Sequence, residues 1–273
     1  LNQEKGGGAA MPAQSGTFEY FTLPFAGYSK KITVFIPPGF HKERCGVIYM
    51  TDSQNLFGED TPYGGWKADE TVVSGLNGVP YMIVAVDNAD EKRDEELTPD
   101  LGPIPPAIQA IDGHDFSVRR GIPFARFLKE TLEPYIRGKY HISPDRKHTV
   151  IAGSSSGGLE AFFAGMRYPE TYGCIAALSP AFFLFEEDTW QRFLEKLQPA
   201  QRKQLPYLYL SNGAGDMLET ILLGGTRRMA QRLLSFGYPR EKLLYEEIPE
   251  DKHNEEAWRK RFPQALRWFF HQS

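Results

Sequence analysis

Short runs of β-branched and aromatic residues alternate along this chain with stretches in which apolar positions return every three or four residues. Runs at 18–23, 31–36, 46–51, 81–87, 148–152, 174–179, 207–211 and 243–248, each bounded by turn residues, predict eight strands. In the third to fifth, Val47-Ile48-Tyr49-Met50, Met82-Ile83-Val84-Ala85-Val86 and Val150-Ile151-Ala152 are almost unbroken apolar sequence. Strands covered on both faces in a parallel sheet have that pattern. Helices are predicted between them. Over 124–135, Phe124, Phe127, Leu128 and Leu132 share one face, and 157–168 is a small-residue helix (Ala161, Ala164, Gly165) suited to close approach to a sheet. Two more helices are predicted at 226–236 and 255–270. Buried strands alternating with helices imply right-handed crossovers and an α/β fold, a mostly parallel eight-stranded sheet flanked by helices.

Two segments depart from the pattern. Residues 87–115 are rich in charge and in proline (Pro99, Pro103, Pro105, Pro106) without periodicity, and read as a long loop, a candidate lid. Residues 1–16, with Gly6-Gly7-Gly8, read as a flexible leader or a cloning remnant. No repeat or linker divides 17–273, which reads as one domain.

Composition narrows the partners. The chain has 273 residues, 41% of them hydrophobic, which suits a large core and argues against general disorder. Its 31 basic and 35 acidic residues leave a net charge of −4. That balance argues against nucleic acid or an anionic membrane as the main partner. No apolar run approaches the roughly 18 residues of a membrane span. Cys45 and Cys174 lie far apart and suggest neither a disulfide framework nor a metal cluster, so a reducing, cytoplasmic setting is expected.

Gly153-Ser154-Ser155-Ser156-Gly157 fits G-x-S-x-G centred on Ser155. A buried strand precedes it and a helix follows, the strand–turn–helix context of a nucleophile elbow. The competing reading is a Ser/Gly helix cap. Ser154 and Ser156 are rival hydroxyls, but the glycine spacing selects Ser155. A serine hydroxyl needs a base. After Ser155 only His253 and His271 remain; His271 sits at the frayed end of the chain, whereas His253 follows the last strand by a short polar loop. An exposed loop histidine is the bland alternative. The acid must lie between serine and histidine in this order. Asp188 belongs to an acidic run and Asp251 is too close to His253, so Asp216, beyond the strand at 207–211, is the choice, with Glu219 in reserve. A plain turn aspartate competes with that role. Backbone N–H groups for an oxyanion are expected from Ser156 and from the loop Thr51-Asp52-Ser53-Gln54-Asn55-Leu56-Phe57.

Tyr49-Met50-Thr51-Asp52-Ser53-Gln54 resembles the strand and Asp-Gly-Gln segment of the putative-esterase family of α/β hydrolases. Gly64-Gly65-Trp66, Arg93 with Glu96-Leu97, Leu132-Glu133-Pro134-Tyr135-Ile136, Gly153 to Gly158, Tyr168-Pro169-Glu170, and His253 with Trp258 follow in the family's order. That family includes siderophore esterases for ferric enterobactin and bacillibactin, and acetyl and feruloyl carbohydrate esterases. The resemblance implies a serine esterase with Ser155 as nucleophile, Asp216 as acid, His253 as base, and oxyanion donors from Gln54 and Ser156. It implies no cofactor and no metal in the protein; iron, where present, belongs to the substrate. Two departures stand out: Ser53 replaces the usual glycine, and Glu250-Asp251-Lys252 replaces a glycine-rich approach to the histidine.

Arg93 with Glu96-Leu97 most resembles the siderophore-esterase branch. Its guanidinium either binds an anionic catecholate or pairs with a neighbouring acid such as Asp94, Glu95 or Glu96. Trp66 and Phe57 either line an acyl pocket or fill the core beside it. The expected function is therefore hydrolysis of a carboxylic ester through an acyl-enzyme, with an enterobactin-type trilactone as one substrate class and acetylated or feruloylated carbohydrate as the alternative. Acyl transfer to a sugar would use the same triad. From another class, a non-catalytic scaffold of the same fold remains the rival.

Overall fold

The computed structural model describes residues 16–58, 61, 64–73, 78–108 and 116–271. The expected leader, except Gly16, lies outside them, as does 109–115 of the expected loop. All eight strands form: β1 (Thr17–Phe25), β2 (Tyr28–Ile36), β3 (Gly46–Thr51), β4 (Tyr81–Val86), β5 (Thr149–Ser154), β6 (Cys174–Leu178), β7 (Tyr207–Gly213) and β8 (Leu243–Ile248). Their order in the sheet is β1-β2-β4-β3-β5-β6-β7-β8. β1 and β2 pair antiparallel, and β2 joins β4 antiparallel. From β4 to β8 every pairing is parallel.

Helices cover both faces: α1 (Ala68–Val73), α2 (Arg93–Leu97), α3 (Gly121–Phe127), α4 (Glu133–Tyr140), α5 (Ser156–Arg167), α6 (Glu187–Glu195), α7 (Met217–Phe236) and α8 (Glu255–His271). The strand pleat sends Val47 and Tyr49 into one core with Phe124, Leu132, Phe162 and Leu233. It sends Ile48 and Met50 into the other, with Trp66, Trp258 and Phe262. Two-sided burial is why β3, β4 and β5 lack a polar alternation.

Three expectations change. The helix expected at 124–135 runs on through a π-helical turn, Leu128–Leu132, into α4; Pro134, which has no N–H to give to the preceding turn, sits at the junction. Helix α7 begins nine residues before the expected 226, capped by Asp216, and runs through Gly224-Gly225 without a break. Residues 87–115 contain the short helix α2, whose charged residues are each used. Asp94 accepts a hydrogen bond from the Ser156 hydroxyl and Glu95 pairs with Arg120. Glu96, 1% exposed, binds Lys30 Nζ at 2.7 Å and the Tyr28 hydroxyl at 2.6 Å. Helix α2 is anchored by ion pairs and hydrogen bonds that periodicity cannot report.

Among the described residues no helix is long and apolar enough to cross a membrane. Cys45 and Cys174 are both free and buried.

Candidate active site

Loops leaving the C-terminal ends of β3, β4, β5, β7 and β8 meet at one edge of the sheet, where open α/β sheets place their ligand crevices. A cleft of 590 Å³ opens there, lined by Gln54, Asn88, Arg93, Ser155, His253 and Glu255 among others. Ser155 joins β5 to α5 with φ 56 and ψ −126. This is a conformation that a non-glycine residue holds only under constraint. The constraint is visible. Ser155 N–H donates to the Leu178 carbonyl at 3.0 Å, while its own carbonyl accepts from Leu159 N at 2.9 Å and Ala181 N at 3.2 Å. The motif's glycines make room for the bend. A Cβ on Gly153 would lie 2.3 Å from the Gly157 carbonyl oxygen, and one on Gly157 would lie 2.3 Å from Thr51 Oγ1. Gly153→Ala is accordingly expected to destabilise the fold by about 2–3 kcal/mol or more, since backbone must move to relieve the overlap; a urea titration measures it.

His253 lies between β8 and α8, 4.9 Å edge-on from Trp258. Its Nδ1 is 3.0 Å from Glu219 Oε1. Glu219 is fully buried. Oε1 also accepts from Ser179 Oγ at 2.5 Å, and Oε2 accepts from Asn212 Nδ2 and Gly213 N, each at 2.6 Å. Burial alone would raise this carboxyl's pKa, but the hydrogen bonds from His253 and Ser179, with the Arg261 charge behind them, hold it below the ordinary value. Arg261, itself 1% exposed, donates to Ser179 Oγ at 2.9 Å and pairs with Asp251 at 2.8 Å.

Glu219, and not Asp216, is therefore the acid that touches the imidazole. Asp216 caps α7: Oδ1 accepts from Glu219 N at 2.8 Å and Oδ2 from His253 N at 2.7 Å. It fastens the histidine's backbone and leaves the ring alone. The signal was present in Asp216-x-x-Glu219, the spacing of a capping box, which assigns the first acid to backbone N–H groups. Here the second acid turns inward to Gly213 and His253, so the box is not closed.

Ser155 and His253 line the same cleft, and the Ser155 hydroxyl makes no hydrogen bond to any described residue. Ser154, a rival hydroxyl, is 5% exposed at the strand end, and Ser156 is 6% exposed with its hydroxyl on Asp94. Ser156 opens α5, where a backbone N–H has no intrahelical acceptor. Gln54 stands in the 3₁₀ turn Ser53–Asn55 after β3. Its side chain is locked onto Asn88, Nε2 donating to Oδ1 at 2.9 Å and Oε1 accepting from Asn88 N at 3.1 Å.

Arg93 does not offer a free guanidinium. Nε and Nη2 donate to the two oxygens of Asp52 at 2.7 and 2.8 Å, Nη1 reaches Asp94 at 3.4 Å and Nη2 reaches the Ser154 carbonyl at 3.4 Å. Its partner Asp52 lies outside the acids the sequence suggested, because β3 and α2 are brought together only by folding. The pair clamps the Gln54 loop to the elbow. Trp66 is corrected as well: at 2% exposure it packs against Trp258 and Phe262 in the core and does not line the cleft. Trp258 and Glu255 line it instead, two contributions that sequence reasoning missed. Phe57 is partly buried, edge-on to Phe18 at 5.1 Å, beside a separate depression. Among the described residues no group of three or more His, Cys, Asp and Glu side chains is arranged to hold a metal.

The family model for putative esterases matches residues 26–269. The chain belongs to the putative esterase family. It is similar to the iron(III) salmochelin esterase of Escherichia coli O6:H1 (strain CFT073), 27% identical over 166 residues, 60% of this chain. Those residues span only 35% of that relative's length. Among solved structures, the siderophore hydrolase EstA from Aspergillus nidulans aligns with a TM-score of 0.73 at 18% identity, covering 99% of this chain and all of that one. The enterobactin esterase FES from Shigella flexneri aligns at 0.68 and 17%, covering 94% of this chain and 59% of that one. At such identities the likeness is one of fold, that of the α/β hydrolases.

Both departures from the esterase pattern are absorbed locally. The left-handed residue before the Gln54 turn is Asp52, φ 58, and Ser53 is not among the positive-φ residues, so the missing glycine costs the turn nothing. The Glu250-Asp251-Lys252 approach is held by the Asp251–Arg261 pair and by Gly215 N donating to the Asp251 carbonyl at 2.9 Å.

Proposed function

We propose that this esterase-family chain hydrolyses carboxylic esters through a serine acyl-enzyme, with siderophore esters as its substrate class. The observation that carries the reading is a strained, cleft-lining serine, Ser155, in the same cleft as an imidazole whose Nδ1 is held by a buried, fully hydrogen-bonded carboxylate, Glu219. Ser155 Oγ attacks the ester carbonyl while His253 Nε2 takes its proton. Glu219 sets the tautomer with Nδ1–H toward itself and stabilises the imidazolium. The N–H groups of Gln54 and Ser156 hold the oxyanion. The imidazolium gives its proton to the leaving alkoxide, and water then repeats the sequence and frees the acid.

The salmochelin esterase and the two siderophore-cleaving solved neighbours support siderophore esters over carbohydrate esters. Arg93, held by Asp52, favours neither substrate class. A fluorophosphonate probe is expected to label the protein once, on the peptide carrying Ser155. Among an iron-free siderophore trilactone, an acetylated sugar and methyl ferulate, the trilactone is expected to show the highest kcat/KM. No labelling overturns the serine mechanism; a higher value on either of the other esters overturns the substrate class.

A further inference from the structure

The first turns of α8 send Glu255, Trp258, Arg261 and Phe262 to one side of the helix, three to four residues apart. Arg261 lies behind Glu219 and Phe262 fills the core. Glu255 and Trp258 are left to line the cleft. Glu255 is only 5% exposed, and among the described residues no lysine or arginine forms an ion pair with it. Burial raises its carboxyl above the ordinary glutamate value, against the lowering effects of its own N–H, His253 and Arg93. The other charges nearby do not balance it. The Arg93 guanidinium is matched by Asp52 and also faces Asp94, and Asp90 lines the same cleft from its exposed rim. The carboxyl keeps its own N–H and lies within the field of His253 and Arg93, but among the described residues no cation closes on it within ion-pair distance, so a donor carried by a bound ligand offsets part of its burial.

We infer that Glu255 is a specificity residue of this cleft: its carboxylate receives a cationic or hydrogen-bond-donating group on the leaving-alcohol side of the bound ester and, with Asp90, disfavours esters carrying an anion there. The assignment to the alcohol side follows from position. Glu255 comes two residues after His253, the group that protonates the departing alkoxide. The inference rests on the hydrolase reading above.

The test uses acetate esters of three alcohols of similar length, ending in a trimethylammonium, a tert-butyl group or a carboxylate, with hydrolysis followed by pH-stat. For the wild-type protein, kcat/KM is expected to fall in that order, by roughly tenfold or more at each step, the scale of one unit charge a few ångströms away in a partly screened cleft. In Glu255→Gln the ratios between the three esters are expected to shrink toward one, whatever change is common to all of them. Asp90→Asn, on the rim, is expected to shrink the ratios less and supplies a variant outside the buried shell. Equal wild-type values for the three esters, or ratios unchanged in Glu255→Gln, overturn the inference while leaving the hydrolase intact. No turnover of any ester, together with no fluorophosphonate labelling, removes the hydrolase reading and this inference with it.

Discussion

Ser155→Ala is expected to lower kcat on p-nitrophenyl acetate by about 10⁵–10⁶-fold, because removing the nucleophile of a serine, histidine and acid unit abolishes nearly all that the unit contributes. What remains over water comes from the oxyanion donors and from binding. The protein should stay folded. The Ser155 hydroxyl bonds to no described residue, and alanine meets at φ 56 the same backbone strain that serine already bears. Thermal unfolding compared with wild type, next to steady-state kinetics, separates loss of chemistry from loss of structure. Retained activity in a folded variant would dismiss Ser155 as the nucleophile.

Glu219→Gln and Asp216→Ala form the second test, and their contrast is the informative quantity. In Glu219→Gln, Gly213 N–H and Asn212 Nδ2 both donate to the position of Oε2, so the new carbonyl must take that side. The amide NH₂ then faces His253 Nδ1, and the imidazole has to turn its acceptor nitrogen inward and its proton outward, toward Ser155. A base in the wrong tautomer costs on the order of 10³–10⁴-fold in kcat. The variant also loses a pH-dependent share of stability. The Glu219 carboxyl is held below its ordinary value, so its contribution is complete above the unfolded value of about 4.3 and is lost as pH falls through the folded value. Asp216→Ala removes a helix cap and the anchor on His253 N. It should cost about 1–2 kcal/mol of stability, read from urea unfolding, with kcat lowered by roughly tenfold. If Asp216→Ala proves the more damaging to kcat, the acid has been misassigned.

Arg93 shows why site chemistry is harder to read than site position. From sequence its neighbours Asp94, Glu95 and Glu96 were the candidate partners, or an anionic ligand was. Asp94 does pair with it, at 3.4 Å, but folding adds the closer partner Asp52, 41 residues away, with both oxygens aligned to the guanidinium. The same holds on a smaller scale for Asp216 and Glu219. Both lie in the expected loop and both are acids. Which one meets the imidazole depends on a cap forming at the start of α7 and on the approach of the His253 loop from β8. By residue type Trp66 suits a pocket wall, yet it is buried against Trp258 of α8, and Trp258 is the tryptophan that lines the cleft.

The sequence by itself determined the eight strands, the parallel character of the central ones, the elbow at Ser155 and the loop that brings His253. Each of these rests on a local pattern: apolar runs, turn residues and glycines needed within a few positions of the bend. Only the tertiary structure decided that Glu219 is the imidazole's partner, that Arg93 is spent on Asp52, and that Glu255 stands in the cleft with no cationic partner among the described residues. Those are choices among chemically equivalent side chains. They are made by distances of a few ångströms between strand ends far apart in the chain, and no local pattern encodes them.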